Sequence, residues 1–302
     1  MKSITEQSNK LLISFSGGET SAYMTYWLLN EFKGWKDMIV VFANTGEENE
    51  QTLEYVNKCD KEFGFNTVWV EAITNSEYKK GVRAKVVNYL TASRNGEPFE
   101  QSIKKYGIPN ISAPQCSRNL KKYVVRDYAR KLGWKIKDYK TVIGIRADEI
   151  DRISENKERE NLWYPLIEAN ITKPFINRFW RDQSFRLELK GYEGNCKVCW
   201  KKSLRKLLTI AKENPEHFDN FKLWELKYEN FIPEQRQHNT DIKTPIRFFR
   251  NNLSVDNILE LSKKPFKPAS NDAENYTEVI QLGLFDIPLD LSNGCVESCE
   301  VF

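Results

Sequence analysis

The chain has no apolar run approaching the ~20 residues that a membrane-spanning helix needs, which excludes an integral helical membrane protein. It has no recognisable export signal: the first ten residues, MKSITEQSNK, are polar, and the apolar stretch behind them, Leu11 to Phe15, is too short for a signal core. The expected location is therefore the cytoplasm. Histidine is scarce, and neither His217 nor His238 stands beside a cysteine. Lysine and arginine are missing from residues 271–302, which carry seven acidic side chains, and no internal repeat or low-complexity tract is present. What remains, 40% hydrophobic and 29% charged, is the composition of a soluble globular protein. Six cysteines without a secretory signal point to thiol, redox or metal chemistry rather than to a disulfide scaffold.

The net charge of +4 conceals an asymmetry. Residues 118–140 carry nine Lys and Arg against two Asp, and residues 178–206 carry nine against three acidic residues. Both basic stretches lie next to cysteines, which suggests a basic cleft for an anionic ligand, nucleic acid included, onto which the acidic tail could fold.

Apolar runs at Leu11 to Phe15, Met38 to Ala43, Thr67 to Val70 and Thr141 to Ile145 read as buried strands. Helical spacing recurs over Ser21 to Phe32, Glu50 to Phe63 and 119–132. Strands alternating with helices predict an α/β fold: a doubly wound, mostly parallel sheet, with ligands bound at the carboxyl ends of the strands. Residues 79–115, with Pro98, Pro109 and Pro114, predict a partly helical excursion over the site. Beyond Trp163 the strand signal fades, and helical patterns around 202–212, 221–231 and 254–263 predict a smaller helical C-terminal part. The expected division is a nucleotide-binding domain with a cysteine site over 1–205, a helical region over 206–270 and an acidic tail over 271–302.

Three loops at predicted strand ends carry chemistry. In the first, SFSGGETSAYM, Gly17 and Gly18 let the backbone approach a ligand, while Ser14, Ser16, Glu19, Thr20 and Ser21 surround the free amides of a helix N-terminus. That is an anion cradle. It lacks the closing Gly-Lys-Ser/Thr of the P-loop, which disfavours a kinase or motor NTPase. The second loop is in VVFANTGEENEQTLEYV (40–56), and the third in TVIGIRADEIDR (141–152).

The first loop resembles the SGG-x-[DT]-S signature of the adenine nucleotide α-hydrolase-like, or PP-loop, superfamily. Together the three loops, in this order, resemble the phosphoadenosine phosphosulfate (PAPS) reductase family over roughly residues 10–205. The resemblance implies that Ser16 to Ser21 bind a phosphate or sulfate and that Asn44, Thr45, Gly46 and Glu47 line the nucleotide pocket. It also implies that Arg146, after Gly144, pairs with phosphate or sulfate oxygens, with Asp148 and Glu149 orienting it or holding magnesium. The implied ligand is PAPS, adenylyl sulfate (APS) or ATP. Thr20 stands where ATP-splitting members usually carry Asp, and Glu19 where many carry Lys; this weakens the case for magnesium-ATP cleavage.

The cysteines form two further groups. Cys196 and Cys199, in GNCKVCWKKS, make a C-x-x-C pair, and Cys116 opens a helix rich in Lys and Arg whose field favours a thiolate. Three such cysteines suit a [4Fe-4S] cluster with one open iron, or zinc with a fourth ligand; a redox C-x-x-C is the rival reading. Ser117 stands where iron–sulfur sulfonucleotide reductases have another cysteine. Cys295 and Cys299 lie in the tail, where those enzymes carry the cysteine that attacks sulfur, but the E-C-G-[LI]-H motif is missing. Cys59, within a helix, reads as packing, as do Trp163, Tyr164, Phe175, Phe179 and Trp180.

The expected function is thiol-dependent sulfonucleotide reduction, with Cys295 or Cys299 and Arg146 catalytic and a thiol reductant as partner. The alternatives are an ATP-dependent sulfurtransferase that takes sulfur from a donor protein to thiolate tRNA or DNA, and a nucleotide-binding sensor without catalysis.

Overall fold

The computed structural model describes residues 10–31, 35, 37–77, 80–238 and 242–271. In chain order the elements are β1 (Lys10–Ser14), α1 (Glu19–Glu31), β2 (Asp37–Asn44), α2 (Glu50–Phe63), β3 (Val68–Thr74), β4 (Val82–Val87) and α3 (Glu97–Tyr106). A π-helical stretch, Ser117–Lys122, runs into α4 (Tyr123–Lys131), followed by β5 (Lys140–Val142), β6 (Leu162–Trp163), α5 (Pro165–Glu168) and α6 (Lys173–Arg181). Three helices close the described chain: α7 (Leu204–Glu213), α8 (Asp219–Tyr228) and α9 (Val255–Ser262).

The strands form one sheet in the order β4-β3-β2-β1-β5-β6, parallel throughout except for the β3–β4 pair. Side chains alternate between its faces. Leu11, Ile13, Val40, Phe42 and Trp69 pack with α1, α2 and α6, whereas Leu12, Val41, Ala43, Val70 and Ala72 pack with α3, α4 and the C-terminal helices. Covered on both faces, the central strands need apolar residues at every position, which is why they read as continuous hydrophobic runs. The fold is the doubly wound α/β arrangement expected.

Two parts differ from expectation. The excursion over 79–115 begins with an antiparallel edge strand, β4, whose Val82 and Ala84 point inward while Arg83 and Lys85 face out. It is tied to α4 through the buried Asp127, which accepts from the Ala84 amide at 2.9 Å and from Arg83 Nη1 at 2.9 Å. Burial opposes ionisation of Asp127, but that amide, Arg83 and Lys131 together outweigh it and hold the carboxyl below its ordinary value. The second difference is β6, two residues long, with α5 and α6 behind it in a region where only helices further on are predicted.

The order of strands reverses at β1: β2, β3 and β4 lie to one side and β5 and β6 to the other. The crevice outside the carboxyl ends of β1 and β5 is thus the switch point at which doubly wound sheets bind ligands. Among the described residues no helix is long and apolar enough to cross a membrane.

Candidate functional site

The loop between β1 and α1 occupies that switch point. Gly17 has φ +86°, and a Cβ there would lie 2.7 Å from Thr52 Cγ2 on α2 and 3.1 Å from Phe42 on β2. The fold itself demands this glycine. Gly18 is different: its φ is not positive, and a Cβ would meet nothing nearer than the Asn195 amide at 3.8 Å. Burial alternates along the loop, so that Gly17, Glu19 and Ser21 are covered while Ser16, Gly18 and Thr20 are partly exposed. Inside the loop, the Ser21 hydroxyl donates to Gly18 O at 2.9 Å and accepts from the Ser16 amide at 3.2 Å, with the Ser16 hydroxyl 2.9 Å away. Ser14 is buried at the end of β1, just before the loop.

Arg146 reaches the same loop from the far side of the crevice. Its Nη1 donates to Thr20 Oγ1 at 3.1 Å, while Nε and Nη2 take both oxygens of Asp148 at 3.0–3.3 Å and Nη2 lies 3.2 Å from Glu149. Glu149 is also paired with Arg152. Both carboxylates therefore hold Arg146 in place, and neither is left to serve a cation alone. The chain can bring Arg146 this close because Gly144 lets the exit of β5 run against α1; a Cβ there would sit 3.0 Å from Ser21 Cα.

Asn44 to Glu48 form a buried turn. Asn44 donates to Glu71 at 2.7 Å and to Ser93 O at 2.9 Å and accepts from the Gly46 amide, so its amide group is consumed within the fold. Thr45 donates its amide and hydroxyl to Glu48, which is paired with Lys121 at 3.5 Å; side-chain exposure is 5% for the lysine and 0% for the glutamate. Gly46 O accepts from the Gly96 amide at 3.0 Å. Glu47 is fully buried, with one carboxylate oxygen accepting from Asn220 at 2.7 Å and the other without a partner. Burial pushes its carboxyl up to about 7, against the pull of Asn220 and Lys197. Between its ordinary 4.5 and that value the folded chain binds a proton the unfolded chain has released, so this group's contribution to stability falls as pH rises through the interval. Unfolding measured at pH 5 and pH 8 is expected to show a loss of roughly 2–3 kcal/mol in the wild type that Glu47→Gln removes. An equal loss in both proteins would assign it elsewhere.

The C-x-x-C segment is stitched to both loops. Asn195 donates to Ser16 O at 2.8 Å, its carbonyl accepts from the Asn49 amide at 2.7 Å, the Lys197 amide donates to Glu47 O at 2.9 Å, and Cys196 bridges to Glu48. Cys116, at the head of the π-helical stretch, accepts from the Trp200 indole at 3.4 Å, and Cys196 Sγ lies 3.8 Å from the Thr45 hydroxyl. Cys116, Cys196 and Cys199 thus line one pocket with Thr45, Lys121 and Trp200. Among the described residues no group of three or more His, Cys, Asp or Glu side chains is arranged to hold a metal ion. The three thiols share a wall of this pocket, with Cys116 accepting from an indole N–H and Cys196 beside a hydroxyl.

Five of the nine cations in the basic run 118–140 meet acidic partners inside the fold. Lys121 meets Glu48, Lys122 and Arg126 meet Glu160, and Arg130 and Lys131 meet Asp127. Cys59 is buried in α2, its thiol pushed up by burial, and Trp163, Tyr164 and Trp180 are core, whereas Phe175 is 41% exposed. Cys295 and Cys299 lie outside the described residues.

Sequence reasoning missed three side chains at the loop: Asn195, Lys173 and Arg186. Asn195 stands beside a cysteine singled out for other reasons. Lys173 and Arg186 had no local signal, since only tertiary folding of α6 and the segment after it brings them to Glu19.

A glycine-hydroxyl loop between the first strand and first helix, at the switch point and faced by an arginine, defines a nucleotide-binding protein of the PP-loop kind. The chain belongs to the phosphoadenosine phosphosulfate reductase family, whose domain matches residues 10–161. It is 27% identical to an uncharacterized nin region protein, ORF290, of Escherichia phage lambda, over 96% of this chain and 94% of that one. It is also 25% identical to the uncharacterized protein MJ0066 of Methanocaldococcus jannaschii, over 76% of this chain and 43% of that protein's length.

Proposed function

We propose that the chain is an enzyme that binds an adenine sulfonucleotide, APS or PAPS, by its phosphosulfate end and reduces it with thiols. The observation that carries the reading is the outward face of the loop, where Ser16, Gly18 and Thr20 stand at the strand switch with Arg146 bonded to Thr20 at 3.1 Å. Amides at the start of α1 and the arginine fork are matched to sulfate and phosphate oxygens. The engagement of Asp148 and Glu149 with Arg146 favours a sulfonucleotide over magnesium-ATP, because both carboxylates already have a cation.

In this reading a thiolate, from Cys295 or Cys299, attacks the sulfate sulfur. The S–O bond to the phosphate breaks, and the nucleotide phosphate leaves with the electron pair, its new charge met by Arg146 and the loop amides. The product is a cysteine S-sulfonate. A second thiol then attacks the cysteine sulfur, sulfite leaves with its pair, and the two thiols become a disulfide, which an external dithiol reduces. Sulfite release from APS or PAPS with a dithiol reductant is the assay. Loss of release in both Cys295→Ser and Cys299→Ser is expected, whereas full activity in a chain ending at Asp290 would exclude the tail thiols and this mechanism.

A further inference from the structure

Glu19 is an unusual neighbour for an anion-binding loop, because a carboxylate beside the cradle repels the ligand unless it is neutralised. Two cations converge on it, and they do so unequally. Arg186 takes both carboxylate oxygens, Nε at 3.1 Å and Nη2 at 3.3 Å. Lys173 Nζ stays at 3.8 Å. The fork of Arg186 therefore satisfies Glu19 and leaves Lys173 only loosely held.

Lys173 is fixed by its backbone. Its amide donates to Asp148 Oδ1 at 3.1 Å, the same carboxylate that grips Arg146, and it stands at the first position of α6, whose Trp180 indole donates to Glu19 O at 3.0 Å. Its side chain is 24% exposed. The charges facing it are Glu19 and Glu149 on one side of the balance and Arg146 and Arg186 on the other; with burial the largest influence, its ammonium is held below the ordinary lysine value. An added anion would relieve that crowding of cations.

We propose that Lys173 is a ligand for the terminal anionic group of the nucleotide, and that Glu19 and Arg186 are positioning residues which hold its ammonium beside the loop without consuming its charge. The inference rests on the nucleotide-binding reading and deepens it: Arg146 and Lys173 together specify a ligand with two linked anionic groups, a phosphosulfate or a polyphosphate, over a monophosphate.

The test is calorimetric titration of the full chain with AMP, APS and ATP, alongside thermal unfolding of each variant. Lys173→Gln is expected to weaken the tighter-binding of APS and ATP about tenfold or more, the loss of one charge-assisted hydrogen bond, with AMP changed less than about twofold. Lys173→Arg should retain the preference. Arg186→Gln should weaken the same ligand, because Glu19 then draws Lys173 away, and the double variant Arg186→Gln with Glu19→Gln should recover it; a purely structural role for Arg186 predicts no recovery. An unchanged preference in a folded Lys173→Gln would overturn the inference while leaving nucleotide binding intact. Failure of all three nucleotides to bind the wild type would overturn both.

Discussion

Replacing Gly17 by alanine is expected to lower the stability of the chain by about 2–5 kcal/mol, the sum of a left-handed backbone for a residue with a Cβ and an overpacked contact. The first part follows from φ +86°, the second from the 2.7 Å approach of the new carbon to Thr52 Cγ2. Gly18→Ala, one residue away, is expected to stay within about 0.5 kcal/mol of the wild type, as for any tolerated exposed substitution. Urea unfolding of the two variants separates a glycine the fold requires from one it does not. If both unfolded alike, the division of labour inside the loop would be wrong.

Lys121→Met is expected to destabilise by about 3–5 kcal/mol, because it leaves the charge of Glu48 buried without its cation. Glu48 is fully enclosed and, besides Lys121, accepts from the amide and hydroxyl of Thr45. The double variant Lys121→Met with Glu48→Gln should recover most of the loss, since a hydrogen-bonded neutral amide replaces the orphaned carboxylate. A small effect of the single variant would mean that water reaches Glu48. The pair also fixes Thr45 and one wall of the thiol pocket, so the Lys121→Met single variant should alter access to Cys116, read as its rate of alkylation.

The parts of this architecture legible in the sequence are those governed by local pattern. Leu11 to Ile13 and Val40 to Ala43 read as buried strands because both faces of the sheet are covered, and the loop at Ser16 to Ser21 is visible because glycines and hydroxyls interrupt an apolar strand before a helix. The alternation at Val82 to Lys85 was equally local, but the prolines further on drew the segment toward an irregular reading. Leu162 and Trp163 are too few to show a period; only pairing with β5 makes them a strand. At the site, Arg146 was readable with its two carboxylates, whereas Lys173 and Arg186 reach Glu19 across 154 and 167 residues of chain, counted from position 19. Charge runs misled for a related reason: nine cations in 118–140 suggest an exposed basic surface, yet Glu48 and Glu160 from elsewhere in the fold, and Asp127 on the same face of α4, pair with several of them.

The cradle at Ser16 to Ser21 is tested most directly by titrating the wild type and Gly18→Ala with APS under conditions where both are folded. The alanine methyl would occupy the side of the loop from which the protein keeps its own atoms at least 3.8 Å away. A bound phosphosulfate on that face requires wild-type binding and a loss of about a hundredfold or more in the variant, comparable to overpacking by one methyl group at close contact. Equal affinities for the two proteins would contradict it.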